Sequence, residues 1–207
     1  PRLFFAGPPS VLPGSSSRAF EKAPISAISS KICPVRGATV RAMDQITHIQ
    51  SSLPGVRLID AEYRRFAFPR HFHLEYHVGL LIQGQHRYAY GGERRHVGAG
   101  DVLLMAPEGI HDGACLDGQS YRIRVMAFDP SWLDEASRTL SDGRQGAPRL
   151  ITSSLRHPLL SQHLQRFHAA MLGGSQLAQE EALWQALAHL LELGSTLRVS
   201  EPDRGFD

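Results

Sequence analysis

The chain has 207 residues, 42% of them hydrophobic and 20% charged, with a formal net charge of +2 at pH 7. This is a globular composition, long enough for one good-sized domain with extensions, and its near-neutral balance gives no reason to expect a broad polyanion-binding surface. No apolar run approaches the ~20 residues of a membrane span, Pro1 to Phe5 is too short for a secretory leader, and Cys33 and Cys115 have no metal-binding or redox spacing; a cytoplasmic protein that makes no membrane contact is expected.

Residues 1–42 carry Pro8, Pro9, Pro13, Gly14 and a serine run at Ser15 to Ser17, which break any periodic pattern. They read as a flexible N-terminal extension, with Met43 as the expected true start. From Val56 the texture changes to short strands: Val56 to Ile59, Tyr63 to Phe68, a long run from His73 to Tyr90 broken at Gly84, then Glu93 to Val97 after the hairpin signal Gly91-Gly92. Gly98 to Asp101 reads as a turn, Val102 to Met105 as a buried strand, Pro107 to Gly113 as a loop, and Tyr121 to Phe128 as a further strand with Arg122 and Arg124 on one face, which is expected to meet water. Many short strands without intervening helices predict a sandwich or barrel, here over 43–135.

The period then changes. Asp129 and Pro130 open a short helix as N-cap and first helical residue. Pro158 opens a longer one with Leu160, Leu164, Phe167 and Met171 at helical spacing, Gly173-Gly174 ends it, and Ser175 caps another that carries Leu177, Leu183, Trp184, Leu187, Leu190 and Leu191. The apolar face of the last helix is wider than one neighbour needs. Packing within the chain and contact with a second subunit both account for it, and 136–197 is expected to be a helical dimerisation region. Residues 198–207 read as a linker.

The stretch Pro69-Arg70-His71-Phe72-His73-Leu74-Glu75-Tyr76-His77 is the most informative. In an extended strand alternate residues share a face, so His71, His73, Glu75 and His77 would point the same way. His111 arrives later from the loop after Pro107, and in a barrel a strand and a loop can meet at one cavity. Imidazole nitrogen suits Zn²⁺, Fe²⁺, Mn²⁺ and Ni²⁺, which makes His71, His73, His77 and His111 candidate metal ligands. The same residues, with Glu75 and Tyr88, equally suit a polar pocket for an organic ligand, and inert surface histidines remain a third reading. His48, His86, His96, His157, His163, His168 and His189 show no convergent spacing and read as surface or packing residues. There is no phosphate loop, nucleophile elbow or convincing acid pair, and no catalytic residue is assigned.

Three segments in order carry a resemblance. The run from Phe68 to Gly79 resembles the opening strand of the AraC-type ligand-binding domain, Gly98 to Gly113 its glycine-aspartate turn, apolar strand, proline and histidine, and Ser120 to Arg122 with Phe128 to Leu133 its closing strand and short helix. The resemblance implies a mainly β fold, a cupin-type jelly-roll barrel followed by a helical pair. The barrel would bind a small effector and the helices would form a homodimer. Members usually carry helix-turn-helix motifs downstream. None follows Leu197, so the sequence is similar to the sensory half alone, and DNA contact is expected only through a domain that this sequence lacks. Metal-dependent cupin enzymes show an H-x-H pair, a glutamate and a later histidine. Here His71, His73 and His111 match, His77 stands where the glutamate is expected, and Gly84 sits at the usual spacing. The leading expectation is a non-enzymatic effector sensor of a transcription regulator, without an obligatory cofactor; a stand-alone dioxygenase or isomerase is the alternative.

Overall fold

Alternating side chains settle which way each strand faces. In the strand Val56–Tyr63, Val56 and Leu58 are buried on one side and Ala61 on the other, as the two-residue period of a strand requires. The structure is a computed structural model and describes residues 44–49, 53–116 and 119–200. The expected extension at 1–42, Cys33 and residues 201–207 of the expected linker lie outside the described residues.

The strands, in chain order, are β1 (Gln45–Ile49), β2 (Val56–Tyr63), β3 (Ala67–His71), β4 (Tyr76–Gln83), β5 (Gln85–Tyr90), β6 (Glu93–Gly98), β7 (Asp101–Met105), β8 (His111–Cys115), β9 (Tyr121–Phe128) and β10 (Ser154–Arg156), and the helices are α1 (Pro130–Leu140), α2 (Pro158–Gly173) and α3 (Gln176–Gly194). They form a six-stranded sheet in the order β1-β2-β9-β4-β7-β10 and a four-stranded sheet in the order β3-β8-β5-β6, with every pairing antiparallel. The architecture is a β barrel followed by helices, as the sequence predicts.

Two cores follow from the alternation. Inside the barrel Ala61, Leu81, Tyr88, Val97, Leu103 and Tyr121 pack together. On the other face of the six-stranded sheet Val56, Leu58, Val78, Leu104 and Met126 meet Leu160, Leu164 and Phe167 of α2 and Leu187 and Leu191 of α3. Burying a leucine or phenylalanine stabilises by roughly 1.5–3 kcal/mol, so the helices are joined to the barrel by a shared core. Leu183, Leu187, Leu190 and Leu191 all point into it, and Trp184 packs beside Trp132, ring centroids 6.3 Å apart. Most of the excess apolar face of α3 is therefore used within the chain, leaving Leu177 of α3 exposed, with Leu159 and Leu172 of α2.

Some local expectations are corrected. Asp129 has extended backbone at the start of α1 but makes no side-chain cap; its carboxylate lies 4.0 Å from Arg57 instead. Ser175 does cap α3, accepting from the Ala178 amide at 3.3 Å. Residues 107–113 are not all loop, because His111 already begins β8. Arg122 and Arg124 do not simply face water: Arg122 clamps both carboxylate oxygens of Asp60 at 2.8 Å, and Arg124 donates to the same group at 3.2 Å. Among the described helices none is long and apolar enough to cross a membrane.

Candidate metal and ligand site at the barrel mouth

The expected single strand from His71 to His77 does not exist. Residues 72–75 are a corner between β3 of the smaller sheet and β4 of the larger one, so the shared face inferred from alternation is not the reason the histidines meet. They meet because the corner joins two sheets at one end of the barrel. β3 pairs with β8 with a bulge between Phe68 and His71, which brings His71 opposite His111. The extra residue of a bulge re-aims the side chains that follow, and Pro69 is tolerated there because β3 is an edge strand. From the larger sheet His77 lies opposite Met105 and Ala127, on the face that lines the barrel.

The resulting cluster is tight. The ring of His71 lies 4.3 Å from that of His111 and 4.9 Å from that of His73, and His73 lies 4.9 Å from His111. One ligand nitrogen from each of the three falls within 4.8 Å of the others. His71 donates from Nδ1 to the Pro69 carbonyl at 2.7 Å, and His111 from Nδ1 to the Gly109 carbonyl at 2.8 Å. A carbonyl only accepts, so the proton sits on Nδ1 and the Nε2 lone pair is left free. This is how proteins fix the tautomer of metal-binding histidines. The Glu108 amide donates to the His73 carbonyl at 2.7 Å, tying the corner to the loop before β8. Glu108 adopts φ 60° to do so.

Burial and the neighbouring imidazoles lower His73, His77 and His111. Burial, then the nearby His77 and His111, push the His73 imidazole down to about 3. Burial, then His111, pushes His77 down to about 4. Burial also lowers His111, against the Gly109 hydrogen bond. At neutral pH these rings offer lone pairs and N–H groups rather than charge.

The other expected site residues separate from the cluster. Glu75 turns aside to pair with Arg57; burial acts to raise its carboxyl, but the Arg57 hydrogen bond and charge outweigh it and hold the group low. Tyr88 is 2% exposed in the barrel interior, its hydroxyl within 3.1 Å of Ser153 Oγ. Tyr90, two residues on, takes the place beside His111, ring centroids 6.5 Å apart. Sequence reasoning also passed over two features. His86 lies inside the barrel 4.6 Å from the Tyr121 ring, where burial pushes it down to about 4; Gly113 gives it room. His157, His163 and His189 do approach one another, with His189 at 4.7 Å and 5.5 Å from the others. Only a correct pairing of α2 with α3 could have revealed that.

A family model described as the AraC-like ligand binding domain matches residues 53–191. No curated protein matches the chain by sequence. Among solved structures, a cupin superfamily protein from Desulfitobacterium hafniense is similar at 12% identity, covering 43% of this chain and 82% of its own, with a TM-score of 0.38. KdgF from Halomonas sp. is 21% identical over 44% of this chain and 83% of its own, with a TM-score of 0.37. A Cupin 2 conserved barrel domain protein from Salinispora arenicola is 18% identical over 51% of this chain and 93% of its own, with a TM-score of 0.39.

Proposed function

The chain belongs to the AraC-like ligand-binding domain family, and on that premise we propose that it is the sensory unit of a transcription regulator, binding a small polar effector at the histidine mouth of its barrel. The observation that carries the reading is the convergence of His71, His73 and His111, with the Nδ1 protons of His71 and His111 committed to backbone carbonyls. Imidazoles with free nitrogens, Tyr90 at the side and a corner tied to the loop by Glu108 make a mouth that can accept or donate hydrogen bonds to a hydroxylated or carbonyl-bearing molecule. An effector acts only through its different affinity for two states of the protein. The tie between residues 72–75 and 106–110 is the element it would shift, and DNA reading would belong to a helix-turn-helix domain outside this unit. The exposed Leu159, Leu172 and Leu177 of α2 and α3 are the proposed subunit contact of a homodimer. The protein is proposed to work in the cytoplasm and to have no catalytic residue.

A second reading is favoured by the same three nitrogens. His71, His73 and His111 fit a borderline divalent cation such as Zn²⁺, Fe²⁺, Mn²⁺ or Ni²⁺, because three imidazoles leave a coordination position open. Such an ion would polarise an oxygen of a bound ligand, in a sensor or in a metal-dependent cupin enzyme alike. His77 would pack against this set where an enzyme of that kind has a glutamate, and Glu75, held by Arg57, supplies no replacement.

The test is elemental analysis of chelator-free protein, beside a His73→Ala/His111→Ala variant, with a thermal-shift screen of sugars, amino acids and aromatic acids. A ligand that raises the melting temperature of the native protein and not of the variant supports the sensor. Stoichiometric metal with substrate turnover and no effector response would overturn it in favour of the enzyme.

A further inference from the structure

The outer face of the four-stranded sheet carries a groove of about 500 Å³. Register explains its shape. Ala67, Ala114, Arg87 and His96 stand in one cross-strand row over β3, β8, β5 and β6, and Asp112, Ala89 and Arg94 stand in the next. Alternation sends Phe68, Tyr88, Val97 and Cys115 to the opposite face. Alanines beside long arginines leave a depression with guanidinium walls, and the same β3 bulge that aims His71 inward leaves Arg70 at the rim.

The charge in this groove is unbalanced. Among the described residues Arg70, Arg87 and Arg94 make no ion pair and no side-chain hydrogen bond. The one carboxylate there, on Asp112, already accepts from the Ala89 amide at 2.9 Å. Elsewhere among the described residues Arg57, Arg122, Arg138 and Arg156 find carboxylates, whereas Arg65, Arg149, Arg166 and Arg198 stand unpaired and apart from this groove. What sets Arg70, Arg87 and Arg94 apart is that all three line one depression. The chain's own first 41 residues do not suit it, because they carry Arg2, Arg18, Lys22, Lys31, Arg36 and Arg41 against a single acid, Glu21.

We infer that this groove is a second binding site, distinct from the histidine mouth, for a small polyanion bearing two or more carboxylate or phosphate groups. A guanidinium presents paired N–H groups that match either anion bidentately. The volume falls in the range of small-molecule sites, roughly 300–1,000 Å³, which favours a metabolite over an extended chain. A neighbouring cavity of about 290 Å³ shares Arg70, Arg94 and Asp112 and reaches His111. The groove itself is not lined by His71, His73 or His77, so the site stands whether or not the mouth binds an effector.

The experiment is calorimetric titration of the full chain, stripped of metal, with citrate and separately with pyrophosphate at low salt. At least one probe binds at a single site, and 0.5 M salt weakens it about tenfold or more, as expected of exposed charges. Citrate alone identifies a polycarboxylate site, pyrophosphate alone a phosphate site, and either supports the inference. An Arg87→Gln/Arg94→Gln variant loses at least tenfold in affinity with unchanged thermal unfolding. An Arg87→Lys variant, which keeps the charge but not the fork, loses several-fold. His73→Ala/His111→Ala retains full affinity, which excludes chelation at the mouth as the source of the heat. No binding of either probe, equal binding by the double arginine variant, or a preference for oligothymidylate that rises with strand length overturns the inference.

Discussion

The rings of His73 and His77 lie face to face, centroids 3.7 Å apart and 18° from parallel. His77 therefore packs against the His73 ring and stands outside the set of His71, His73 and His111, whose ligand nitrogens lie within 4.8 Å of one another. A stacked ring orients its neighbour; it does not share the same coordination point. His73→Ala or His111→Ala is expected to lower Ni²⁺ or Zn²⁺ affinity at least tenfold in a calorimetric titration. His77→Ala is expected to cost less than either, in the range of lost positioning rather than of a lost ligand. Equal losses for His77 and His73 would place His77 among the ligands.

Tyr88 belongs to the packing of the barrel and not to its mouth. Its hydroxyl approaches the Ser153 hydroxyl at 3.1 Å and the Ser153 carbonyl at 3.3 Å, joining β5 to the segment that leads into β10. Tyr88→Phe is expected to lower unfolding free energy by about 1–2 kcal/mol, the cost of losing a buried hydrogen bond and leaving its partner unmet. Metal and effector binding should be unchanged. Urea denaturation gives the first quantity. A binding loss without a stability loss would return Tyr88 to the ligand site.

How much of this was legible in the sequence depends on the range of the interaction. Val102 to Met105, Tyr121 to Phe128 and the Pro158 and Ser175 helix starts are local patterns, and each is found where its pattern lies. The histidine cluster was legible as a set of residues but not as a geometry. Alternation along one strand groups Glu75 with the histidines, whereas the corner at 72–75 releases Glu75 to Arg57, a residue of β2 that no local pattern could name. Tyr88 and Tyr90 share a strand face, and only distance from the mouth decides that Tyr90 meets His111 while Tyr88 meets Ser153. The arginine groove was equally hidden: Arg87 and His96 become neighbours only through the β5–β6 register.

Gly84 marks the turn between β4 and β5. Its φ is 77°, and a Cβ there would lie 2.2 Å from the backbone oxygen of Ser120. Both the left-handed conformation and the close approach of another backbone require glycine, and a backbone atom cannot move aside as a side chain can. Gly84→Ala is expected to destabilise by at least about 2 kcal/mol, measured by urea denaturation, because the β4–β5 connection must shift relative to β9. Gly91→Ala, which also has positive φ but meets nothing within 4 Å, should cost less. Equal costs would mean that conformation alone matters at Gly84.

His168 makes the pH dependence of stability testable. It sits on α2 at 1% exposure; neither ring nitrogen has a hydrogen-bond partner, and Nε2 lies 3.9 Å from Asp60. Burial and then Arg124 push its imidazole down to about 4, against the pull of Asp60. An unfolded histidine titrates near 6.5, so as pH falls the unfolded chain takes up the proton first and stability is lost between about 6.5 and about 4. His73, His77 and His86 act in the same direction. Asp60 acts in a different window. Burial works to raise its carboxyl, but hydrogen bonds from Arg122 and Arg124 outweigh it and hold it below 3.8. Its stabilisation is therefore present above the ordinary carboxyl range and disappears only at still lower pH. His168→Leu should remove one imidazole's share of the loss between pH 7 and pH 4.5, on the order of 1–3 kcal/mol. It should be neutral or slightly stabilising at pH 7, where it deletes two unmet polar atoms. Urea denaturation of both proteins across that pH range gives the comparison. Parallel profiles would show that His168 takes up its proton in the folded state as readily as in the unfolded chain.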